Sequence, residues 1–529
     1  MTTRRSPLIL VSLLLSSFLI TVDTTIVNVA LPTLIREMHA SDSQLQWIVD
    51  AYNLVFASLL LAAGGLSDRV GRKGMLLAGL GLFGLASAVG GVTANPGQLI
   101  AARCVMGAGA AMVFPSTLSI ISNVYTERIE RARAIGLWGA TAGMAIALGP
   151  IMGGALLEIF SWRSIFFALT PIALLAFGLV AVNVPTSRDP NPQKADRVGF
   201  VLATAAMGVL VSSIIEAPNY GWASTRSIVA FAIAAVLLVA FIAWERHVEE
   251  PMLDVSLFSN PRFTAACGSV TVAFFTLFGF IFLVTQYFQF VRSYSPLSTG
   301  LHTLPNAISL GVGSVFGTRL AMRFGTKLIV TLGLLGVVCF YGWASTVQAS
   351  TSYLTLAVQM VIFGIGMGFA TTPATEAVMG VVPEDKAGVG SAINDTTRMV
   401  GGALGVAVIG SAYATIYTNR VSARIPVLLP HHLIEISRSS IGGAMAVAKG
   451  LNKDGWVELG GPVHRLALSA FHDGLSTGCL LAGALALVCA VMVALWLPAH
   501  PERTEQDLAD ALPPISIPAH SGEMVSPMG

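Results

Sequence analysis

The chain has 529 residues; 54% are hydrophobic, 11% are charged, and the net charge is +2. Soluble domains carry about 25% charged residues, so this composition excludes an ordinary soluble protein, and it gives no sign of a nucleic-acid partner. The apolar residues form continuous runs of roughly 20 residues, each long enough to cross a bilayer as an α-helix. The runs lack the period-two alternation of membrane barrel strands. The sequence therefore predicts an all-α integral membrane protein.

About 14 membrane-spanning helices follow one another along almost the whole chain. They are expected at residues 8–30, 46–66, 74–94, 98–118, 133–156, 164–184, 198–216, 226–246, 263–288, 299–320, 327–347, 352–375, 392–415 and 470–497. Most of the chain is therefore predicted to lie in the membrane as helices, which satisfy their own backbone hydrogen bonds there.

Two six-helix bundles with an inserted helix pair account for this pattern. Residues 1–184 form the first bundle, 185–262 contain the inserted pair, and 263–497 form the second bundle, which includes a long extracytoplasmic loop at 416–469. A faint repeat supports the division, because "SDRVGRK" after the second helix resembles "AMRFGTK" after the tenth, and such repeats are typical of secondary transporters. Residues 498–529 contain prolines and acidic residues, and we expect a disordered cytoplasmic tail.

The distribution of lysine and arginine predicts the orientation of the chain. With the N-terminus in the cytoplasm, the cytoplasmic segments hold 19 of these residues and the short outer loops hold four. Six more lie in 416–469, a segment of a length that translocates largely regardless of its charge. The asymmetry predicts cytoplasmic N- and C-termini.

The first helix contains a carboxylate, Asp23, within the otherwise apolar stretch "SSFLITVDTTIVNVALP" (16–32). The fourth helix contains Arg103 at a similar depth, because that helix runs in the opposite direction. An isolated charge at such a depth costs at least about 2.5–3.5 kcal/mol, so charges inside membranes face polar cavities and tend to pair. We therefore predict that Asp23 and Arg103 interact.

Two interpretations of this pair remain open. It either fixes helix packing as a static ion pair, or Asp23 gains and loses a proton as its pairing with the guanidinium changes. The second interpretation would couple transport to a proton gradient. Asn28, five residues after Asp23, either serves the same site or bonds a neighbouring helix.

A short basic loop, "GGLSDRVGRK" (64–73), is predicted between the second and third helices. Asp68 can face the positive N-terminus of the third helix, and a charge cluster here can hold helix ends together in one conformation and release them in another. An ordinary positive-inside loop is the alternative. The candidate gating residues are Gly65, Asp68, Arg69, Gly71, Arg72 and Lys73.

The fifth helix combines glycines with a proline in "GATAGMAIALGPIMGG" (139–154). Its GxxxG spacings make flat faces on which another helix can pack closely. Pro150 removes a backbone donor and kinks the helix. These features indicate either plain packing or a helix that acts as a pivot or as a seal against proton leak.

Other acidic residues are weaker candidates. Glu376 and Asp395 could bind a proton or a cationic substrate, and Arg398 is near enough in sequence to pair locally with Asp395. Three more stand near predicted helix ends, where we expect water to reach them: Asp50, Glu158 and Glu216.

The residue types that hold metals or form disulfides make no motif. The five cysteines are scattered without ligand spacing, and we interpret them as packing residues. The His431–His432 pair has no further spacing that indicates a metal site. We expect no catalytic residue, metal or cofactor, and no enzyme activity.

Several of these stretches resemble one family. "GGLSDRVGRK" resembles the loop signature of the major facilitator superfamily, and "LIAARCVMGAGAA" (99–111) resembles its fourth-helix motif, with Arg103 in the arginine position. "GATAGMAIALGPIMGG" resembles its fifth-helix antiporter motif. "VDTTIVNVALP" (22–32) and "GVGSAINDTTRMVGGALGVAVIG" (388–410) resemble the first and thirteenth helices of the fourteen-helix drug:proton antiporters of the EmrB/QacA type. Asp395 departs from that pattern, which usually has an uncharged polar residue there.

The resemblance implies two six-helix bundles plus two extra helices, alternating access, and export of hydrophobic, often cationic, compounds against proton entry. It implies that Asp23 and Arg103 carry proton coupling and that the 64–73 loop is a gate. The implied antiporter-motif residues are Gly143, Gly149, Pro150, Gly153 and Gly154. Expected partners are small substrates, protons, membrane lipids and a periplasmic adaptor. Export of one endogenous metabolite, siderophore or lipid is the alternative, and the charges at depth argue against an uncoupled facilitator.

Overall fold

The computed structural model describes residues 6–125, 127–188, 196–381, 387–426, 428–454 and 456–498, and every regular element within these ranges is helical. The α-helices are α1 (Ser6–Ile26), α2 (Leu31–Met38), α3 (Asp42–Val70), α4 (Arg72–Val92), α5 (Pro96–Val124), α6 (Arg128–Ile159), α7 (Arg163–Asn183), α8 (Arg197–Tyr220), α9 (Thr225–Glu245), α10 (Pro261–Gln286), α11 (Pro296–His302), α12 (Leu304–Phe324), α13 (Thr326–Ala344), α14 (Tyr353–Met379), α15 (Ala387–Arg424), α16 (His431–Ser439), α17 (Ile441–Lys453) and α18 (Val457–Trp496). A 3₁₀ turn at Val27–Ala30 joins α1 to α2, and a π turn at Tyr287–Val291 extends α10.

Among the described residues, twelve helical runs are long and apolar enough to cross a membrane. Two further helices, α3 with 29 residues and α12 with 21, are also long enough. Helix α3 packs against α5 and α15, and α12 packs one face against α14. Gln46, Asp50 and Asn53 make the first turns of α3 polar. The all-α membrane fold is thus confirmed, and its helices are compatible with the predicted fourteen spans.

Spanning helices alternate in direction along the chain, which gives the molecule two faces. We call the face at which α1 begins the basic face, because α4 also begins there with Arg72 and Lys73. We call the opposite face the capped face, because it carries α16 and α17. Both names are used below without reference to the sides of a membrane.

The helices form two halves with the α8–α9 pair beside them. We call α1–α7 the first half and α10–α18 the second half. The helix pair contacts both halves through α8, which packs against α3 and α15. Ser43 Oγ donates to the carbonyl oxygen of Ile215 at 3.4 Å, and Ser411 Oγ donates to that of Ile214 at 2.8 Å. The inserted pair therefore joins the two halves near the capped face.

The predicted loop at 64–73 is largely helical in the structure, so that part of the prediction is wrong. Helix α3 continues to Val70 and α4 begins at Arg72, which leaves Gly71 alone as the connection. Gly71 has φ +118°, a conformation that residues with a side chain rarely adopt. The backbone N–H of Arg72 donates to the carbonyl oxygen of Ser187 at 3.0 Å. The helices are longer than the apolar stretches from which they were predicted, because the polar residues that follow still complete helical hydrogen bonds.

The cap of the capped face is also more helical than expected. The segment predicted as a loop at 416–469 contains two short helices, α16 and α17, and both α15 and α18 extend well into it. The Tyr417 hydroxyl lies 3.1 Å from the carbonyl oxygens of both Ser437 and Ser440, which ties the junction of α16 and α17 to α15. Helix α17 also contacts α2, so the cap touches both halves.

Helices α13 and α14 pack through glycines, and this contact generates a stability prediction. A Cβ atom at Gly333 would lie 2.5 Å from Ala370 N and 2.6 Å from Gly366 O. Backbone atoms cannot move aside as a flexible side chain does. We expect Gly333→Ala to lower the free energy of unfolding by about 1–3 kcal/mol, the usual cost of overpacking, as measured by thermal unfolding in detergent.

Gly342→Ala is the matched control, because it lies on the same helix and a Cβ atom there would meet nothing within 4 Å. Alanine favours helices over glycine by roughly 0.5–1 kcal/mol, so we expect this variant to be neutral or slightly stabilising. Equal losses in the two variants would contradict the proposed packing.

Candidate transport site

The structure brings Asp23 and Arg103 together, as the sequence predicted. Arg103 Nη1 lies 2.5 Å from Asp23 Oδ2, and the side chains are 1% and 0% exposed. In this apolar interior, the charge of each side chain compensates the charge of the other. The second carboxylate oxygen, Asp23 Oδ1, has no hydrogen-bond partner in the described part of the chain, so the carboxylate retains one unoccupied acceptor.

Arg103 is held in place by two groups besides the carboxylate, the Ile48 carbonyl and the Tyr52 ring. Its Nε donates to the carbonyl oxygen of Ile48 at 3.0 Å. Its guanidinium carbon lies 4.3 Å from the ring centroid of Tyr52, within the range of a cation–π contact. The Tyr52 hydroxyl in turn donates to the carbonyl oxygen of Ile20 at 3.1 Å. The arginine thus links α5 to α3, and Tyr52 links α3 to α1.

The amide nitrogen of Asn28 bonds its own helix and not a neighbouring one, and a role of Asn28 in the transport site stays a prediction. Its Nδ2 lies 3.1 Å from Thr24 O and 3.4 Å from Thr25 O, within its own helix, and it is 1% exposed. It lies in the 3₁₀ turn where α1 ends, so its amide satisfies carbonyl groups at that change of helix type.

Asp50 was expected in contact with water, and this prediction is wrong. It is 0% exposed, and neither carboxylate oxygen has a hydrogen-bond partner among the described residues. Gln46 and Asn53 lie on the same helix face at spacings of four and three residues, and both are buried. Ser411 Oγ of α15 donates to Gln46 Oε1 at 3.1 Å. The polar face of α3 is therefore turned toward the second half, which the apolar flanks of Asp50 did not indicate.

Glycines on α6 allow it to lie directly on α1. A Cβ atom at Gly149 would overlap Thr25 Oγ1, and one at Gly153 would lie 2.9 Å from Ile26 O. Gly143 differs from these, since a Cβ atom there would meet nothing within 4 Å. The glycines of the motif therefore differ in role. Gly149 and Gly153 allow close helix packing, whereas Gly143 faces open space.

The end of the same motif forms a contact between the two halves. A Cβ atom at Gly154 would lie 2.6 Å from Leu297 Cα on α11, and one at Gly300 would lie 2.5 Å from the carbonyl oxygen of Pro150. Nearby, Gln289 Nε2 donates to the carbonyl oxygen of Val29 at 2.9 Å. These contacts lie toward the capped ends of the helices, so the halves are closed against each other there.

A pocket lies between the halves, beneath this closure. It is lined by α6, α10, α11 and α12 together with Val29. Asn306 is one of the lining residues. Its side-chain oxygen, Oδ1, has no hydrogen-bond partner in the described part of the chain. Pro150 lacks an N–H group, so the carbonyl of Ile146, also in the lining, loses its usual helical donor. We call this the central pocket; its described lining includes no charged side chain.

The candidate gating residues lie at the basic face, away from the central pocket. Lys73 Nζ donates to the carbonyl oxygen of Ala181 at 2.8 Å, and Ser67 Oγ lies 2.9 Å from Ser116 Oγ. The side chain of Asp68 lies outside the described structure. A Cβ atom at Gly65 would meet nothing within 4 Å. Lys73 therefore joins α4 to α7, and the serine pair joins α3 to α5.

The remaining candidates of the second half lie apart from the Asp23–Arg103 pair. Asp395 is 7% exposed, and its Oδ1 lies 3.6 Å from Arg398 Nη1, one helical turn away on α15. The Arg398 guanidinium also covers the ring of Phe274 at 4.7 Å. Glu376 on α14 is exposed. Asp395 therefore forms the local ion pair that its spacing indicates.

The buried pair generates a second stability prediction. Removing one partner of a buried ion pair leaves an uncompensated charge, at a cost of about 3–5 kcal/mol. We expect Arg103→Met to be destabilised by about this amount, and Asp23→Asn in the same background to recover part of the loss, because no buried charge then remains. Thermal unfolding of the two single variants and the double variant completes the cycle. Additive losses would contradict a direct interaction.

The sequence is similar to that of known transport proteins. A model of the Major Facilitator Superfamily matches residues 13–406. The multidrug efflux pump LfrA of Mycolicibacterium smegmatis is 33% identical over 492 residues, which cover 93% of this chain and 96% of LfrA. The methyl viologen resistance protein SmvA of Salmonella typhimurium is 34% identical over 450 residues, which cover 84% and 90% of the two chains.

Solved structures with similar folds are also known. A bacterial homolog of the human lysosomal transporter Spinster, in an inward-facing and unoccupied conformation, matches with a TM-score of 0.68 over 94% of this chain and 100% of its own, at 16% identity. A D-xylose–proton symporter matches with a TM-score of 0.60 over 93% and 98%, at 15% identity. At these identities the similarity concerns the fold alone. The family model matches most of the chain, residues 13–406, and the helical architecture agrees with that match. This chain therefore belongs to the Major Facilitator Superfamily.

Proposed function

We propose that the chain exports hydrophobic or cationic compounds across the bacterial inner membrane in exchange for protons. The observation that carries the proposal is the buried Asp23–Arg103 pair. Relatives with identities of 33% and 34% are named as a multidrug efflux pump and a methyl viologen resistance protein, which supports drugs as the substrate class. No cofactor is involved, because the proton gradient supplies the energy.

The orientation follows from charge. The basic face is cytoplasmic by the positive-inside rule, so the closed capped face is periplasmic. Because the contacts between the halves lie toward the capped ends, we infer that substrate reaches the central pocket from the cytoplasm, as an exporter requires. The capped ends must separate for release, and α6, α11 and the cap are the elements that part.

Proton binding at Asp23 shifts the equilibrium between the conformation with closed capped ends and the conformation in which they are separated. A proton on the carboxylate removes the charge that attracts Arg103, and burial in an apolar interior makes this attraction strong. Arg103 also holds the Ile48 carbonyl and the Tyr52 ring. Weakening its contact with Asp23 therefore loosens α1, α3 and α5 against one another, and the first half can change its angle to the second.

The central pocket recognises its substrate by shape and by hydrogen-bond acceptors. Its described lining is largely apolar. Asn306 Oδ1 has no hydrogen-bond partner among the described residues, and the Ile146 carbonyl lacks its usual helical donor. Such oxygens solvate a cation or accept from a donor group without fixing one molecular outline. This chemistry favours a broad range of lipophilic compounds over one dedicated metabolite.

Proteoliposomes with an acidic lumen and a pH-sensitive dye inside test the coupling. Methyl viologen or another lipophilic cation is added outside, and exchange for lumenal protons raises the lumenal pH. We expect the wild type to respond and Asp23→Asn to fall to the background rate, because the variant has no carboxylate to carry the proton.

Asp473→Asn is the matched control for this assay. Asp473 is also paired with an arginine, Arg420, at 3.0 Å, but both side chains are nearly half exposed. A surface pair of this kind contributes little, so we expect normal exchange. Exchange by Asp23→Asn at the wild-type rate would refute the coupling role of Asp23.

The closure of the capped face generates a further prediction. Gly154→Ala places a methyl group against the backbone of α11 and should disfavour the closed capped face. In a chain whose native cysteines are serines, we expect a reporter cysteine at Asn306 to react faster with a membrane-impermeant maleimide added from the capped side. Gly139→Ala is the control, since a Cβ atom there meets nothing within 4 Å. Equal reaction rates in both variants would contradict this role of α6.

A further inference from the structure

A second pocket lies within the second half of the molecule, outside the space between the halves. Residues of α10, α13, α14 and α18 line it, and its described lining includes none from the first half. We call it the aromatic pocket because five of its lining residues carry six-membered rings: Phe280, Tyr287, Phe288, Phe340 and Tyr341.

These rings present carbon surfaces to the aromatic pocket. The Tyr341 hydroxyl donates to the carbonyl oxygen of Thr276 at 2.5 Å, and the Tyr287 hydroxyl donates to that of Gln348 at 2.8 Å. Phe280 and Phe340 meet edge to face with ring centroids 5.4 Å apart. Because both hydroxyls are engaged elsewhere, the walls are suited to stacking and edge contacts with another aromatic ring.

One polar group in the pocket lacks a partner. Gln359 of α14 lines it and is 2% exposed, and its amide nitrogen has no hydrogen-bond partner in the described part of the chain. An unpaired buried amide is costly, and a ligand acceptor that reaches it recovers that cost. The described lining includes no charged side chain, so a charged ligand would find no counter-charge there.

The aromatic pocket and the central pocket share a wall. Phe280 and Val284 of α10 line both. A movement of the Phe280 side chain is therefore the shortest route between them. A compound in the aromatic pocket would also press on the helix that borders the central pocket.

We propose that the aromatic pocket binds a neutral aromatic compound of two or three rings with one hydrogen-bond-accepting oxygen, which takes the Gln359 amide as its donor. The rings of the compound lie among Phe280, Phe340 and Tyr341. Its use as a second substrate site or as a modulator of export rests on the proposed function. The binding itself does not, so a direct binding test separates the two.

Photolabelling of the full-length purified chain with benzophenone tests the proposal. Benzophenone is neutral, has two rings and one carbonyl, and on irradiation inserts into nearby C–H bonds. We expect labelled peptides to include Met360, which lines the pocket. Fluorenone should suppress this labelling about fivefold more than fluorene at equal concentration, because fluorene lacks the accepting oxygen and loses one hydrogen bond.

Two variants sharpen the test. Gln359→Leu keeps the volume and removes the donor, so fluorenone and fluorene should then compete equally. Ala344→Phe fills the pocket, since Ala344 is a buried lining residue, and should abolish labelling at Met360. Asn306→Leu alters the central pocket alone and should leave this labelling unchanged. If Gln359→Leu does not fold, the comparison of fluorenone with fluorene on the wild type decides.

Two results would overturn the proposal. Labelling confined to lipid-facing positions, such as Leu354 with 73% exposure, would mean that the aromatic pocket stays empty. Equal competition by fluorenone and fluorene on the wild type would mean that Gln359 does not select the ligand. Neither result would bear on proton exchange at Asp23, which is measured separately.

Discussion

The buried contact between Asp23 and Arg103 is the interaction on which the rest of the first half depends. Two full charges are removed from water, and each is tolerated only because the other lies 2.5 Å away. A charge pair of this kind is a weak source of net stability but is very sensitive to the charge of either partner. That sensitivity suits a switch, because one proton changes the energy of contacts that reach three helices.

The second constraint is the close approach of helices, which glycine residues allow. At Gly149 and Gly153 the first half packs α6 onto α1, and at Gly154 it packs α6 onto α11 of the second half. The same helix therefore touches the element that carries Asp23 and the element that closes the capped face. A shift of α1 after protonation would be transmitted to the closure through rigid backbone contacts, with few flexible side chains to absorb it.

The second half contributes surfaces with little charge. Its α10 borders the central pocket on one side and the aromatic pocket on the other, and Phe280 belongs to both linings. The unpaired polar atoms in the two linings differ in kind, an acceptor oxygen at Asn306 and a donor nitrogen at Gln359. In the proposed function, proton exchange belongs to the first half and recognition of apolar compounds belongs largely to the second.

The sequence by itself determined the membrane class, the all-α architecture and the pairing of Asp23 with Arg103, because hydropathy, length and the cost of a charge at depth are local properties. It could not place Asp50, since burial depends on which neighbour covers a helix face, and α15 lies far away in sequence. The same holds for Gln359 and for the contact of Gly154 with Leu297. Only the tertiary structure decided these, because each is defined by atoms from different helices meeting in space.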